Sequence, residues 1–467
     1  MLPHTANGDS RLSFWLRVRE FAVPPSMIET ATARRHAGDW AGACAAAGVD
    51  LDLDLRSVAR THGRELAARV RADLRRLAPD LLRWHLPRIA PDGLLRPGLT
   101  LTLVRYGGDD DATGPPHLVV RTPPAWADGG QRISLALWDG TRRDADARRH
   151  PHPRPSRWFR LDLHRHLWDA GRSGELRARS GADRPETPDP PEVSGTVPEG
   201  RHCAVDRWAA EAAILLDAEG RRTGSVTVRI GSRHRLALTL DPVEDTLHIA
   251  PAPTDRGATA PPVLPDAATW VLPDLELLRT GAIGADRLHP LVAAALVPDR
   301  PRPRPGSRPD ASARMPDRAA VAGDPHLIDC RGAQHRIGLV DGVLVPLDHD
   351  PAEIRREELL VALTGTPLPC LQAIDEAHRH PDCLTGVRER LIHGDTAGAL
   401  AVVEGLLGSD AVLRGGALRD ELHAAAERRL AYGLFRAGLT GPGPRSGRFY
   451  PGLQDPWKVR PRRTTSR

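Results

Sequence analysis

The stretch Gly38-Asp39-Trp40-Ala41-Gly42-Ala43-Cys44-Ala45 returns near the other end of the chain as Gly394-Asp395-Thr396-Ala397-Gly398-Ala399-Leu400-Ala401. In each copy the aspartate stands where a helix N-cap belongs, with a carboxylate able to accept a bond from a free N–H of the first turn. The glycine before it suits the left-handed residue that closes the preceding helix. Gly42, Ala43, Gly398 and Ala399 are small enough for two helices to approach closely. Each copy therefore reads as helix, tight Gly-Asp turn, helix, an αα-hairpin. Chance recurrence in an Ala/Gly-rich chain is the plain alternative.

Working outward from the first copy, Pro24-Pro25 precedes a helical stretch over Ser26–His36, and a long helical pattern follows Asp50. Leu66, Val70, Leu74 and Leu77 fall on one face of it. Arg69, Arg71, Arg75 and Arg76 lie around the rest, with Glu65 and Asp73 interspersed as on a solvated face. Pro79 breaks the pattern, and Leu81, Leu82 and Trp84 continue a short helix. The period changes to two at Leu99, Leu101 and Leu103, which predicts a strand with one buried face. Further strands are expected at His117–Arg121 and Arg132–Trp138, the latter ending in an Asp139-Gly140 turn. Trp158–Trp168 fits neither period. A loop is expected over residues 184–201, and then strands at Ala212–Leu216, Val226–Ile230, Leu236–Leu240 and Leu247–Ile249. Helices are expected at Asp274–Thr280 and Asp286–Leu296, with Asp286 as a cap. Beyond a Pro/Arg-rich stretch come strands near Leu327–Cys330, Arg336–Val340 and Val343–Leu347. Helical signals follow at Pro351–Leu363, around the second Gly-Asp turn, and at Ala417–Leu434.

This predicts an α+β protein: a helical region over 1–97, an antiparallel β-rich region ending in helices over 98–297, and a Pro/Arg-rich linker over 298–324. A β-hairpin-plus-helices module over 325–439 and a disordered tail over 440–467 complete it.

Composition excludes more than it assigns. The 467 residues hold 65 basic and 60 acidic groups, a balanced surface rather than the footprint of a nucleic-acid binder. Lys458 is the sole lysine; the remaining basic residues are arginine. A P-loop, a pyridoxal Schiff base and a protein kinase each need a placed lysine, and the tail position of Lys458 suits none of them. The five cysteines are scattered, with no Cys-x-x-Cys pair. Met1–Val23 holds no continuous apolar run of the signal-peptide kind, and no stretch has the apolar length of a membrane span. A reducing, cytoplasmic setting without a membrane partner is the expectation.

Four groups of residues have chemistry to weigh. Cys370, His378, His380 and Cys383 place two thiols and two imidazoles within fourteen residues, a donor set for tetrahedral zinc. Their irregular spacing leaves buried Cys with exposed His as the alternative. His164 and His166, with Asp162 nearby, would share a face on a strand, as in some metal hydrolases; His150 and His152 precede them in a Pro-rich loop. Asp109, Asp110 and Asp111 are carboxylates in a Gly-flanked loop without EF-hand spacing. His289, before Pro290 at a helix start, and His335, beside a predicted hairpin, are candidate bases for which capping or a surface place is the default. None of these forms a complete catalytic constellation, and no cofactor is expected.

The Gly-Asp hairpins resemble a single hairpin of a tetratricopeptide solenoid, but one at each end is not an array of fixed period. Phe21-Ala22-Val23-Pro24-Pro25, Arg35–Ala47, Leu77–Pro87 and Leu288–Leu296 resemble phrases of a family of uncharacterised actinobacterial proteins. Such proteins resemble accessory members of systems with MoxR-type AAA+ ATPases and von Willebrand A proteins. The resemblance spans most of the chain and carries no active site. It implies an interaction or adaptor protein, non-enzymatic, with an AAA+ ATPase or a von Willebrand A protein as partner. A metal-dependent hydrolase or nuclease using a His cluster, and a nucleic-acid-binding protein using arginine faces, are the alternatives.

Overall fold

Helix α1 (Ala6–Phe21) leads into α2 (Pro25–His36), which opens with a proline at its first position, where no N–H is needed. The computed structural model describes residues 6–107, 115–140, 150–185, 190–198, 201–231, 234–241, 246–252 and 261–298. In the C-terminal part it describes 326–330, 333–340, 343–346, 355–356, 382–407 and 417–439. The Gly-Asp turn is built as its sequence predicts. The N–H groups of Asp39 and Gly38 donate to the carbonyls of Arg34 and Arg35 at 2.9 and 3.0 Å, a Schellman closure that requires Gly38 at φ +77°. Asp39 then accepts from Gly42 N at 2.8 Å and starts α3 (Trp40–Ala46), while Arg34 donates to its other carboxylate oxygen at 3.1 Å.

The chain next differs from expectation. Helix was predicted after Asp50, but Val49–Asp52 is a strand, β1. Val-Asp-Leu-Asp alternates with period two, and that short pattern outweighs the helical residues downstream. Asp54 caps α4 (Leu55–His62) through the N–H groups of Arg56 and Ser57, and α5 (Arg64–Arg76) buries Leu66, Val70 and Leu74 as the periodicity predicts. The arginines Arg69, Arg71, Arg75 and Arg76 are exposed. Helix α6 (Pro79–His85) is followed by a small ribbon, β2 (Arg88–Ile89) with β3 (Leu94–Leu95), and then β4 (Thr100–Arg105), β5 (His117–Arg121) and β6 (Ile133–Trp138). The sheet order is β1-β6-β5-β4. Its predicted strands pair antiparallel, and β1 adds a parallel edge to β6. Every residue of β5 is buried, because helices and loops cover both faces of the central strands.

A second core forms around the meander β7 (Ser225–Ile230), β8 (His234–Asp241) and β9 (Thr246–Pro251). Val226, Val228 and Ile230 face inward. Against them packs the helix Val205–Ala218, where a strand was predicted at Ala212–Leu216. The apolar run belongs to a longer pattern: Trp208, Ala212, Leu215 and Leu216 lie at helical spacing, and the run alone does not distinguish the two states. In the stretch predicted as a loop, Pro191–Ser194 forms a helical turn whose Val193 enters this core. The helices Pro273–Arg279 and Pro290–Leu296 return to the first core through Leu277, Val292 and Leu296. The cap of the second is His289, whose Nδ1 accepts from Leu291 N at 3.2 Å; Asp286 sits in a preceding 3-10 turn.

In the C-terminal part, β10 (His326–Cys330), β11 (Ala333–Val340) and β12 (Val343–Pro346) form the predicted antiparallel sheet. Of the helix predicted over Pro351–Leu363 only residues 355–356 are described, and they are helical; the predicted linker and tail lie outside the described residues. The second hairpin joins Asp382–His393 to Thr396–Leu407 through the same closure as the first. Asp395 N donates to Arg390 O at 2.8 Å, Gly398 N to Asp395 at 2.9 Å, and Arg390 to the same carboxylate at 3.0 Å. With the last helix, Ala417–Ala437, this hairpin docks on the first core. Tyr432 bonds Asp50, Arg436 pairs with Asp52, and the rings of Phe435 and Trp126 meet edge-on at 5.3 Å. Among the described residues no helix is long and apolar enough to cross a membrane.

Candidate functional site

Between the two cores lies a cavity of about 460 Å³, within the roughly 300–1,000 Å³ range of small-molecule sites. Helix α1 supplies Arg11, Trp15 and Arg19, and the end of α6 supplies Trp84 and His85. The irregular stretch after β6 supplies Trp158, Arg160, His164 and His166. The second unit adds Arg207 from its helix, Arg229 from β7, and Trp270. Nine arginines, four tryptophans and three histidines line the space, against one carboxylate, Asp266.

Some of these arginines are neutralised from behind the wall. Arg19 makes a two-pronged bond to Asp274 at 2.8 and 2.7 Å, and Arg179 another to Glu211 at 2.6 and 2.7 Å. Arg160 bonds Asp162 and Glu219, both at 2.8 Å, and Arg11 bonds Glu276 at 3.0 Å. Others are not: among the described residues, no carboxylate forms an ion pair with Arg88, Arg96, Arg201 or Arg207. Arg88 is held by the carbonyls of Arg83 at 2.7 Å and Gly93 at 3.3 Å. Arg201 stacks on Trp270 at 3.7 Å, as Arg229 does on Trp158. Arg207 is 7% exposed, and its Nε has no hydrogen-bond partner.

The electrostatics follow from this crowding. Burial, with the neighbouring charges of Arg83 and Arg19, holds Arg88 well below the usual arginine range. Burial also lowers Arg201, although Asp266 opposes it. His85 is pushed down to about 4, chiefly by burial. His166, 4% exposed, is held far below its ordinary value by burial and by His164 and Arg179. Its Nδ1 is unbonded, as are His85 Nε2 and Arg88 Nε. The cavity thus concentrates positive charge, the arrangement that an anion completes.

The residues singled out in the sequence fare differently. His164 and His166 both line the cavity, with ring centroids 5.7 Å apart. His164 donates from Nδ1 to Arg160 O at 2.9 Å and sets Nε2 3.2 Å from Glu211. Asp162 turns away to Arg160 and Arg105. His150 lies elsewhere, donating to Thr122 O at 2.9 Å and accepting from His152 N at 3.2 Å. His289, buried, donates from Nε2 to Asp80 at 3.0 Å. His335 falls on β11. Cys370, His378 and His380 lie outside the described residues, as do Asp109, Asp110 and Asp111; of Cys383 only its helical backbone is described. Among the described residues no three His, Cys, Asp or Glu side chains converge as a metal site.

Sequence reasoning passed over the cavity because its walls are gathered from Arg11 to Pro273 with no local motif. One signal was present: ten tryptophans against three tyrosines and five phenylalanines, four of the ten now in one cavity. Neither a protein family, nor a curated protein, nor a solved structure matches this chain, and the site is read from its own chemistry.

Proposed function

We propose that this protein is a ligand-binding protein that holds a small anion in the cavity between its two cores. This keeps the sequence-based expectation of a non-enzymatic adaptor and adds a ligand to it. The observation that supports it is the arginine-rich lining, in which Arg88, Arg96 and the buried Arg207 form no ion pair with a carboxylate among the described residues. A buried charge left unpaired is costly, and structures retain one where something else completes it. The planar guanidinium fork matches the oxygens of phosphate and carboxylate. With the one lysine in the tail, oxyanion recognition in this chain falls to arginine.

The test is thermal unfolding of the full-length protein in low-salt buffer, with pyrophosphate or tripolyphosphate set against chloride at equal ionic strength. Preferential binding to the folded state raises the midpoint by mass action. A rise of a few degrees is expected, and its loss in Arg207→Ala and Arg96→Ala. Identical midpoints in all three salts would overturn the reading.

A further inference from the structure

The cavity is larger and more aromatic than an inorganic anion needs. A bare phosphate, a few atoms across, fills a small part of about 460 Å³. The walls are built from paired planes: Arg229 over Trp158 and Arg201 over Trp270, each at 3.7 Å, and Arg19 over Trp84 at 4.4 Å. Trp15 and Trp158 are only half-buried and face the same space. Indole and guanidinium planes are the surfaces on which nucleic-acid bases stack, whatever the base.

Among the described residues no carboxylate pairs with Arg88, Arg96 or Arg207, and Arg201 has only the nearby field of Asp266 and Glu276; together they call for several negative charges rather than one.

Building on the anion-site reading above, we infer that the ligand is a nucleoside polyphosphate, its base stacked among the cavity tryptophans and its phosphates on the unpaired arginines. The experiment is calorimetric titration of the full-length protein with ATP, GTP, tripolyphosphate and adenosine. Stacking of one base commonly contributes enough to shift affinity tenfold or more. ATP or GTP is expected to bind at least tenfold more tightly than tripolyphosphate, to quench tryptophan fluorescence, and to bind far more tightly than adenosine. Trp158→Leu should remove the preference while leaving tripolyphosphate binding in place. If that variant melts without cooperativity, Trp15→Leu on α1 serves instead. Equal affinity for tripolyphosphate and both nucleotides overturns the nucleotide inference and leaves the anion site standing. Silence from all four probes overturns both. Adenosine binding as tightly as ATP overturns the role given to the arginines.

Discussion

Arg83 shows how one side chain joins distant parts of the chain. It is 1% exposed, yet among the described residues no carboxylate bonds its guanidinium. Instead Nε donates to Ala22 O at 3.0 Å, Nη1 to Gln131 O, and Nη2 to His393 O at 2.8 Å. Those carbonyls belong to the approach to α2, the turn before β6, and the end of the helix Asp382–His393. Burial draws Arg83 down to about 10; Asp128 opposes this and Arg132 adds to it, so the group stays charged at neutral pH. Arg83→Met would strip partners from three carbonyls at once, at a cost of roughly 1–3 kcal/mol for each one left buried and unsatisfied. Arg83→Lys keeps the charge but not the fork, and should recover only part of the loss. Urea unfolding of the two variants checks this. A Met variant as stable as the parent would show that the three carbonyls find other partners.

At the scale of elements, the two Gly-Asp hairpins were fully legible because their chemistry is local. Cap, glycine and arginine lie within nine residues in both, Arg34 to Gly42 and Arg390 to Gly398. Asp39→Ala and Asp395→Ala should each cost about 1 kcal/mol in thermal unfolding, the usual worth of an N-cap. Gly42→Ala should destabilise despite alanine's helix propensity, since the added carbon would sit 2.1 Å from Asp39 Oδ2; the same holds for Gly398 and Asp395. A Gly42→Ala variant of unchanged or raised midpoint would mean that the carboxylate does not hold this cap. The period of α5 and the alternation of β7 were legible for the same reason: one face of each is buried in the way its own spacing states. In β4 the expected single buried face is not found: Thr100 and Thr102 are buried as fully as Leu101 and Leu103, because the sheet is covered on both sides. The errors share the opposite cause. Val49–Asp52 is a strand because β6 lies beside it, and Ala212–Leu216 is helical because its pattern begins at Trp208 and closes on β8. Asp286 lost its expected role to His289, which has Asp80 as a second anchor 209 positions away. The cavity is the extreme case, since no two of its walls need be neighbours in sequence.

For the molecule as a whole, the interior holds histidines that folding keeps neutral. Burial, the largest cause in each, depresses His85 to about 4 beside the cavity and His117 to about 4 in the mixed sheet. It depresses His393 to about 3 where the C-terminal helices dock. His117 is lowered further by Arg105, and His393 by Arg88 and Arg83. In the unfolded chain these groups take up protons near 6.5. Between about 6.5 and 4 the unfolded state therefore binds protons that the native state refuses, and stability falls as the pH falls. Each such histidine contributes a slope of about 1.4 kcal/mol per pH unit across that window. By pH 5 three of them remove on the order of 6 kcal/mol, as much as many domains possess. Glu211 acts lower down. Burial raises it, but its bonds to His164 and Arg179 prevail and bring it to about 2. Its contribution is intact above about 4.5 and is lost only below. Acid destabilisation should accordingly begin near pH 6, ahead of carboxylates such as Glu211. The measurement is the thermal midpoint from pH 7.5 to 4 in phosphate-free buffer. His393→Leu should flatten the curve at small cost at pH 7.5, because its ring has only a 3.8 Å approach to Glu389 and a weak bond to the backbone of Asp92 to forfeit. A midpoint that stays level from pH 7 to 5 would mean that these histidines titrate normally, and that the interior admits the proton which the packing around them argues it excludes.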